Sequence, residues 1–321
     1  MAKARRLSIT RVLVVAIFLT FLASMVLMIT YNNCDCESTE EIERKLQNIK
    51  CNKAKDIEKS KDGTIDQADK KDEDDMSKWD PHVLAIIVPF RERFEELLQF
   101  VPYMHKFLNM QKIRHEFYIV NQVDSYRFNR ASLLNIGFMQ AKKKCQYLAM
   151  HDVDLLPRNE KLSYRFDVVQ KGPHHLSSYE LHPRYGYKTF VGGILMLQMK
   201  HYELLNGMSN KFWGWGREDD EFYMRMKDAD LEISRPQGIT TGRDSFYHLH
   251  DKVRRPRDMT RSQGQKKDSF KRDRVTGLDT LQYELIRTHE LKIEGAVCTI
   301  YHVKVACDEE LTPWCVPTEK R

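Results

Sequence analysis

The sequence predicts an α/β domain with a mostly parallel twisted sheet, held behind a single N-terminal transmembrane helix. Three observations carry this. Strand-like and helix-like apolar patterns alternate from Val83 to Met150, a 19-residue uncharged run fills Val12 to Thr30, and a stretch poor in apolar residues separates the two. Alternating β and α elements favour a parallel sheet with helices on its faces.

The apolar run comes first. As a helix it is about 28 Å long, close to the hydrocarbon thickness of a bilayer. Lys3, Arg5, Arg6 and Arg11 precede it, and Asp35, Glu37, Glu40 and Glu41 follow it. Positive charge stays on the cytosolic side. Residues 1–11 therefore read as a cytosolic tail, 12–31 as an uncleaved signal anchor and 32–80 as a lumenal stem. Residues 81–321 form the catalytic domain, and the orientation is single-pass type II. The rival reading, a cleaved signal peptide, is disfavoured because the run is long and no small-residue site closes it. Within the stem, Asp56 to Asp75 has almost no apolar residue and cannot bury enough surface to fold. Ile42, Leu46 and Ile49 make one short helical stripe. It could pair two stems into a homodimer or be a transient helix in a tether.

Composition narrows the class. Apolar residues make up 41% of 321, enough for a core, and the net charge of +6 is mixed along the chain. With no basic stripe interleaved with aromatics, nucleic-acid binding is not expected. Seven cysteines contain no Cys-x-x-Cys pair, which argues against a zinc finger. In an oxidising lumen Cys307 and Cys315 are placed to close a short disulfide loop.

In the folded part, Val83 to Val88 reads as a buried strand. Phe94, Leu97, Leu98 and Val101 follow at helical spacing until Pro102 interrupts. Phe117 to Val120 is a second strand, a helix starts near Asn129, and Tyr147 to Met150 is a third strand. Sheets of this kind bind ligands at the carboxyl ends of their strands. Strand one ends in Pro89-Phe90-Arg91-Glu92-Arg93, whose arginines suit a diphosphate or a solvated helix start. Strand three ends in His151-Asp152-Val153-Asp154. Two carboxylates after an apolar strand are expensive without a cation, and a divalent ion fits them, although an acidic turn is the commoner reading. Gly192-Gly193 allows a backbone to approach a ligand, or marks a bulge. Trp213-Gly214-Trp215-Gly216 precedes Glu218-Asp219-Asp220-Glu221, which opens a helix through Phe222 and Met226. Tryptophan faces suit sugar rings. Acids in a first turn favour the helix dipole, and that dipole would keep a catalytic carboxylate ionised. His248 and His250 alternate onto one face of a strand, as metal ligands would, or as ordinary surface or core histidines would. The late strands, near Leu281–Leu285 and Val297–Val305, read as closure of the domain.

Taken in order, Pro-Phe-Arg-x-Arg, Phe128-Asn129-Arg130, Asp-Val-Asp, Val-Gly-Gly, Trp-Gly-Trp-Gly-x-Glu-Asp-Asp and His-x-His resemble the β-1,4-galactosyltransferase family from about Val83 to Cys315. The resemblance implies a GT-A fold, a Golgi location and inverting transfer of galactose from UDP-galactose with Mn²⁺. It implies Asp154, His248 and His250 as metal ligands and Asp219 as general base. It assigns Pro89, Phe90, Arg91, Arg93, Phe128, Arg130, Asp152, Gly192, Gly193 and Trp215 to the donor. Tyr185, Tyr187, Trp215, Glu218, Asp219 and Asp220 fall to the acceptor. The common members of the family present one His and one Met to the metal. The His-x-His here, with the short chain and the Leu-His-Pro-x-Tyr-x-Tyr segment, resembles the branch that galactosylates xylose on proteoglycan core proteins. Phe190, where galactose-using relatives carry a bulky aromatic, favours UDP-galactose over UDP-N-acetylgalactosamine. Alternatives are N-acetylglucosamine as acceptor, an inactive lumenal sugar-binding protein, and a nucleotide-sugar hydrolase. The segment after His250, through Lys252–Arg257, is expected to be mobile without Mn²⁺ and UDP and ordered with them.

Overall fold

A computed structural model describes residues 78–262 and 264–317. The expected anchor, the stem as far as residue 77 and the Ile42/Leu46/Ile49 stripe lie outside the described residues. Among those described, no helix is long and apolar enough to cross a membrane.

The first strand, β1 (Asp80–Phe90), leads into α1 (Phe94–Met110), β2 (Ile113–Gln122), α2 (Arg130–Ala141) and β3 (Tyr147–His151). Strand β1 is apolar without alternation because both its faces are covered. Leu84, Ile86 and Val88 face Leu97, Phe100, Val101 and Met104 of α1. Ala85 and Ile87 face Leu133, Leu134 and Ile136 of α2. Truncating one such fully buried side chain, Ile86→Ala for instance, costs about 2–5 kcal/mol. Helix α2 starts where the sequence predicts. The Asn129 side chain caps it by accepting from the Ser132 N–H at 2.9 Å.

Two expectations need correction. Helix α1 runs through Pro102 for 17 residues instead of stopping there. Proline removes one N–H bond, to the carbonyl four residues back. That residue, Leu98, is 42% exposed, so water is at hand for the freed carbonyl. The sheet is also mixed rather than mostly parallel. Its order is β5-β6-β3-β1-β2-β9-β8. The inner four strands are parallel. On one flank β6 (Ile194–Gln198) and β5 (His174–His175) run antiparallel. On the other, β8 (Tyr283–Ile293) and β9 (Ala296–Val305) form an antiparallel hairpin. Residue periodicity reports a strand and not its direction, so the flanks were invisible to it. The hairpin also does more than close the domain: β9 sits inside the sheet, parallel to β2.

A second, two-stranded ribbon pairs β4 (Leu155–Pro157) with β7 (Phe246–His248). After β6 come α3 (Met199–Leu204) and α4 (Glu218–Asp228). A disulfide joins Cys307 to Cys315 as expected, while Cys145 and Cys298 are buried free thiols.

Candidate active site

The site lies at the carboxyl ends of β1 and β3. The β4–β7 ribbon builds its centre. Register pairs Leu155 with His248, and the Leu249 N–H donates to the Asp154 carbonyl at 2.7 Å. These bonds bring both histidines against Asp154. His250 Nδ1 lies 3.3 Å from Asp154 Oδ2, and His248 Nε2 lies 3.8 Å from Oδ1. Arg93 reaches the same carboxylate at 3.6 Å.

Burial alone would raise the Asp154 pKa. The hydrogen bond from His250, the nearby His248 and the charge of Arg93 outweigh it, and the group is held below the usual range. Burial lowers His248 to about 4, so its imidazole is neutral at pH 7 and free to donate a lone pair. Among the described residues no set of three or more His, Cys, Asp or Glu side chains stands as a finished metal cage. The donors nonetheless fit one. Two imidazoles and a carboxylate suit Mn²⁺, and His250 Nε2 is buried without a hydrogen-bond partner.

Arg130, at the first position of α2, holds Asp152 through two nitrogens at 3.0 and 2.7 Å. The same guanidinium is 3.8 Å from Glu218 at the start of α4. It therefore links the end of β3 to the carboxylates opposite. Burial lifts Asp152, with Arg130 opposing.

Those carboxylates behave differently from expectation. The dipole of α4 was expected to keep Asp219 ionised, but its pKa is raised to about 7. Burial contributes most, then the charges of Glu218 and Asp220, and Arg130 offsets only part. Three acids in one turn repel one another more than the dipole attracts. The Asp219 carboxylate lies against Gly192. A Cβ on residue 192 would stand 2.8 Å from Asp219 Oδ2 and 2.7 Å from the Phe190 ring. Only glycine leaves room there.

Aromatic rings line the neighbouring wall. Phe190 packs on Tyr185 and Tyr187 with centroids 5.0 and 5.5 Å away, and Tyr185 lies 6.4 Å from Trp215. The Tyr187 hydroxyl donates to Asp220 at 3.2 Å.

The other expected residues are placed less directly. The Arg91 guanidinium is committed to the loop after β2, donating to the carbonyls of Gln122, Asp124 and Tyr126. It stands 5.9 Å from the Phe128 ring. Phe90 is buried in the core, with Pro89 beside it in β1. Gly193, with φ +76°, has the Ser177 side chain 2.6 Å from where a Cβ would be.

Sequence reasoning passed over three residues. Arg257 lies over the Trp215 ring at 4.7 Å and donates to the Tyr185 hydroxyl. It comes from a run of basic residues, and nothing in the run says which one turns inward. His182, with its pKa lowered by burial to about 3, stands 6.1 Å from His248. Arg127 is buried and ties four segments together. It bonds Asp258 at 2.5 Å, Gln265 at 2.9 Å, and the carbonyls of Thr260 and Trp314 at 2.9 and 3.0 Å. It also explains Gly214, where φ is +79° and a Cβ would meet Arg127 Nη2 at 2.0 Å.

Comparison with known proteins agrees with this geometry. Residues 36–167 match the N-terminal region of glycosyl transferase group 7, and residues 172–251 match the N-terminal domain of galactosyltransferase. The chain is 57% identical to β-1,4-galactosyltransferase 7 of Mus musculus, over 76% of this chain and 74% of that one. It is 45% identical to xylosylprotein 4-β-galactosyltransferase of Caenorhabditis elegans, over 73% and 82%. Identity to β-1,4-galactosyltransferase 1 of Homo sapiens is 33%, over 64% and 52%. A crystal structure of a Drosophila β-1,4-galactosyltransferase 7 mutant in complex with manganese, UDP-Gal and xylobiose superposes with a TM-score of 0.72. Its sequence is 48% identical, and the match covers 74% of this chain and all of that one. A mixed sheet, a carboxylate–imidazole cluster at its strand ends and an acid-rich helix start facing it accompany these identities: the chain is a glycosyltransferase that belongs to the β-1,4-galactosyltransferase family.

Proposed function

We propose that this chain transfers galactose from UDP-galactose to the 4-hydroxyl of xylose carried on a polypeptide, with inversion. The observation that carries the reading is a metal-competent cluster at the strand ends facing a helix start whose Asp219 has a near-neutral pKa, with Arg130 bridging Asp152 and Glu218 beside them. Asp154, His248 and His250 would hold Mn²⁺, which when bound relieves charge on the departing diphosphate. Arg130 and Asp152 flank the donor. Asp219 accepts the proton of the acceptor hydroxyl as that oxygen bonds to the galactose anomeric carbon and the bond to the diphosphate breaks. A base with a pKa near the working pH is suited to this step. Tyr185, Tyr187 and Trp215 wall a pocket for a small sugar, with Glu218 and Asp220 at its edge. The manganese, UDP-Gal and xylobiose complex of the Drosophila relative supports both substrates and the metal.

The same reading places residues 81–321 in the Golgi lumen, behind the anchor at 12–31 and the stem at 32–80. Protease protection of the catalytic domain in sealed vesicles tests that orientation, and digestion without detergent would overturn it.

The activity is tested with residues 80–321. Galactose transfer to an aryl β-xyloside is measured with and without Mn²⁺. Mn²⁺-dependent transfer to xylose supports the proposal. Equal or better use of an N-acetylglucosaminide overturns the acceptor assignment, and release of free galactose without acceptor overturns the transfer.

A further inference from the structure

Four cationic side chains surround the segment that carries Tyr185 and Tyr187, and none has a carboxylate partner. Arg184 and Lys188 bracket the tyrosines in sequence. The Arg235 Nη2 donates to the Lys188 carbonyl at 2.9 Å, and its guanidinium lies over the Tyr179 ring at 5.4 Å. Arg243 Nη2 lies 3.3 Å from where a Cβ on Gly186 would be. Among the described residues none of the four makes an ion pair. Arg184 Nη1 and Arg235 Nε are moreover shielded from water without any hydrogen-bond partner. The acids nearest in sequence do not quench the group: Glu180 accepts from the Tyr179 hydroxyl, and Asp244 follows Arg243 without pairing to it.

The basic segment on the other side of the site is the contrast. There Arg254 meets Glu95 at 2.9 Å and Arg255 meets Glu96 at 3.1 Å, so these two charges are used internally. With no carboxylate of the described residues against them, these four cations leave their charge to be met by groups from outside.

We propose that this collar, Arg184, Lys188, Arg235 and Arg243, receives acidic side chains of the acceptor polypeptide next to the sugar-bearing residue. The inference rests on the acceptor assignment above and adds a substrate class to it. A sugar seated against Tyr185 and Tyr187 must lead its carrier out past residues 184–188. A carboxylate two to four residues from the glycosylated position reaches roughly 7–14 Å along an extended chain. The cations come from three separate stretches of sequence, which suits carboxylates strung along a polypeptide better than one compact anion. Exposed charges of this kind act chiefly on encounter and positioning, and salt screens them.

The test uses the Mn²⁺-loaded enzyme and three acceptors: a neutral aryl β-xyloside, a xylosylated serine peptide with flanking Asp and Glu, and the same peptide with Asn and Gln. At low salt the acidic peptide is expected to exceed the neutral one about tenfold in kcat/KM, mostly through KM, with the gap closing at high salt. The triple variant Lys188→Gln, Arg235→Gln, Arg243→Gln is expected to bring the acidic peptide down to the neutral one while aryl xyloside turnover stays within about twofold. Equal use of the two peptides by the unaltered enzyme overturns the proposal, as does a proportional loss on all three acceptors in the variant. Failure to use any xyloside overturns the underlying acceptor assignment instead. Peptide binding, followed by fluorescence anisotropy with UDP and Mn²⁺, reads the collar independently of turnover. Binding of a sulfated polysaccharide but not of the acidic peptide would also overturn it.

Discussion

The two sides of the site handle charge in opposite ways. On the β-strand side every acid has a cationic or imidazole partner: Asp152 has Arg130, and Asp154 has His250, His248 and Arg93. On the α4 side Glu218, Asp219 and Asp220 crowd one helical turn: Glu218 stands 3.8 Å from Arg130 and Asp220 3.5 Å from Arg217, while Asp219 between them has no ion pair among the described residues. The first arrangement keeps Asp154 charged in the fold, ready for a cation. The second raises Asp219 to about 7, ready to take a proton. One arginine at the start of α2 touches both, so the site separates binding from proton transfer over a short distance.

The sharpest way to break this contrast is to remove the proton acceptor alone. Asp219→Asn keeps the shape and deletes the base. It is expected to lower kcat about 10³-fold, with UDP and Mn²⁺ affinity retained by calorimetry. A parallel loss of donor binding would mean that Asp219 acts in binding.

Gly214→Ala tests the frame rather than the chemistry. A left-handed backbone costs a non-glycine residue about 1–2 kcal/mol, and the new Cβ displaces buried Arg127 from its partners. Together these predict a loss of about 3 kcal/mol in the denaturant midpoint analysis. Gly216→Ala, whose Cβ would meet only Arg261 at 3.6 Å, is predicted to lose about 1 kcal/mol. Equal losses would show that Arg127 yields easily and does not pin the tryptophan loop.

On the strand side, His250→Ala is expected to weaken Mn²⁺ activation by at least 10–100-fold, the range already seen for residues that merely support a ligand. Saturating Mn²⁺ should restore much of the rate, since the proton acceptor is untouched. Chelation of the metal should abolish transfer while leaving near-ultraviolet dichroism unchanged, because the β4–β7 ribbon is held by its own backbone bonds.

What the sequence revealed follows the same division. Strands β1, β2 and β3 were readable because covering on both faces leaves uninterrupted apolar runs, and Asp152 and Asp154 stood out as acids at the end of one. The helix near Asn129 was readable from its apolar spacing, and its cap became visible only in the fold. Pro102 misled because the cost of a proline depends on whether water can reach one carbonyl. The flanking strands misled because pairing direction is set by connections far apart in the chain. Arg91 and Arg127 are both arginines near strand ends in the sequence. One braces a loop and the other joins four segments, which only tertiary contacts reveal. The ionisation of Asp219 was misjudged because a dipole can be read from one helix, whereas burial beneath Gly192 and the count of nearby charges cannot.

The smallest expected effect is also the most discriminating. Because Asp219 must be ionised to accept a proton, log kcat/KM should fall with unit slope as pH drops below about 7. Glu218→Gln removes a like charge and frees Arg130 to favour Asp219, both of which stabilise its ionised form. The acid limb should then move down by about one pH unit, and a lower plateau would report the lost contact of Glu218 with the acceptor without moving the limb. Stability carries the same sign. A carboxyl whose pKa is raised in the fold favours the folded state when protonated, and that contribution is lost as pH rises from about 4 towards 7. Glu218→Gln should lessen this loss, so the variant should gain on the unaltered protein in thermal midpoint at pH 8 relative to pH 5. An acid limb that stays in place would assign it to another group and leave Asp219 ionised by its dipole after all. A limb that moves upward would mean that Glu218 serves mainly to hold Arg130 in place, and that losing this support outweighs the relief of repulsion.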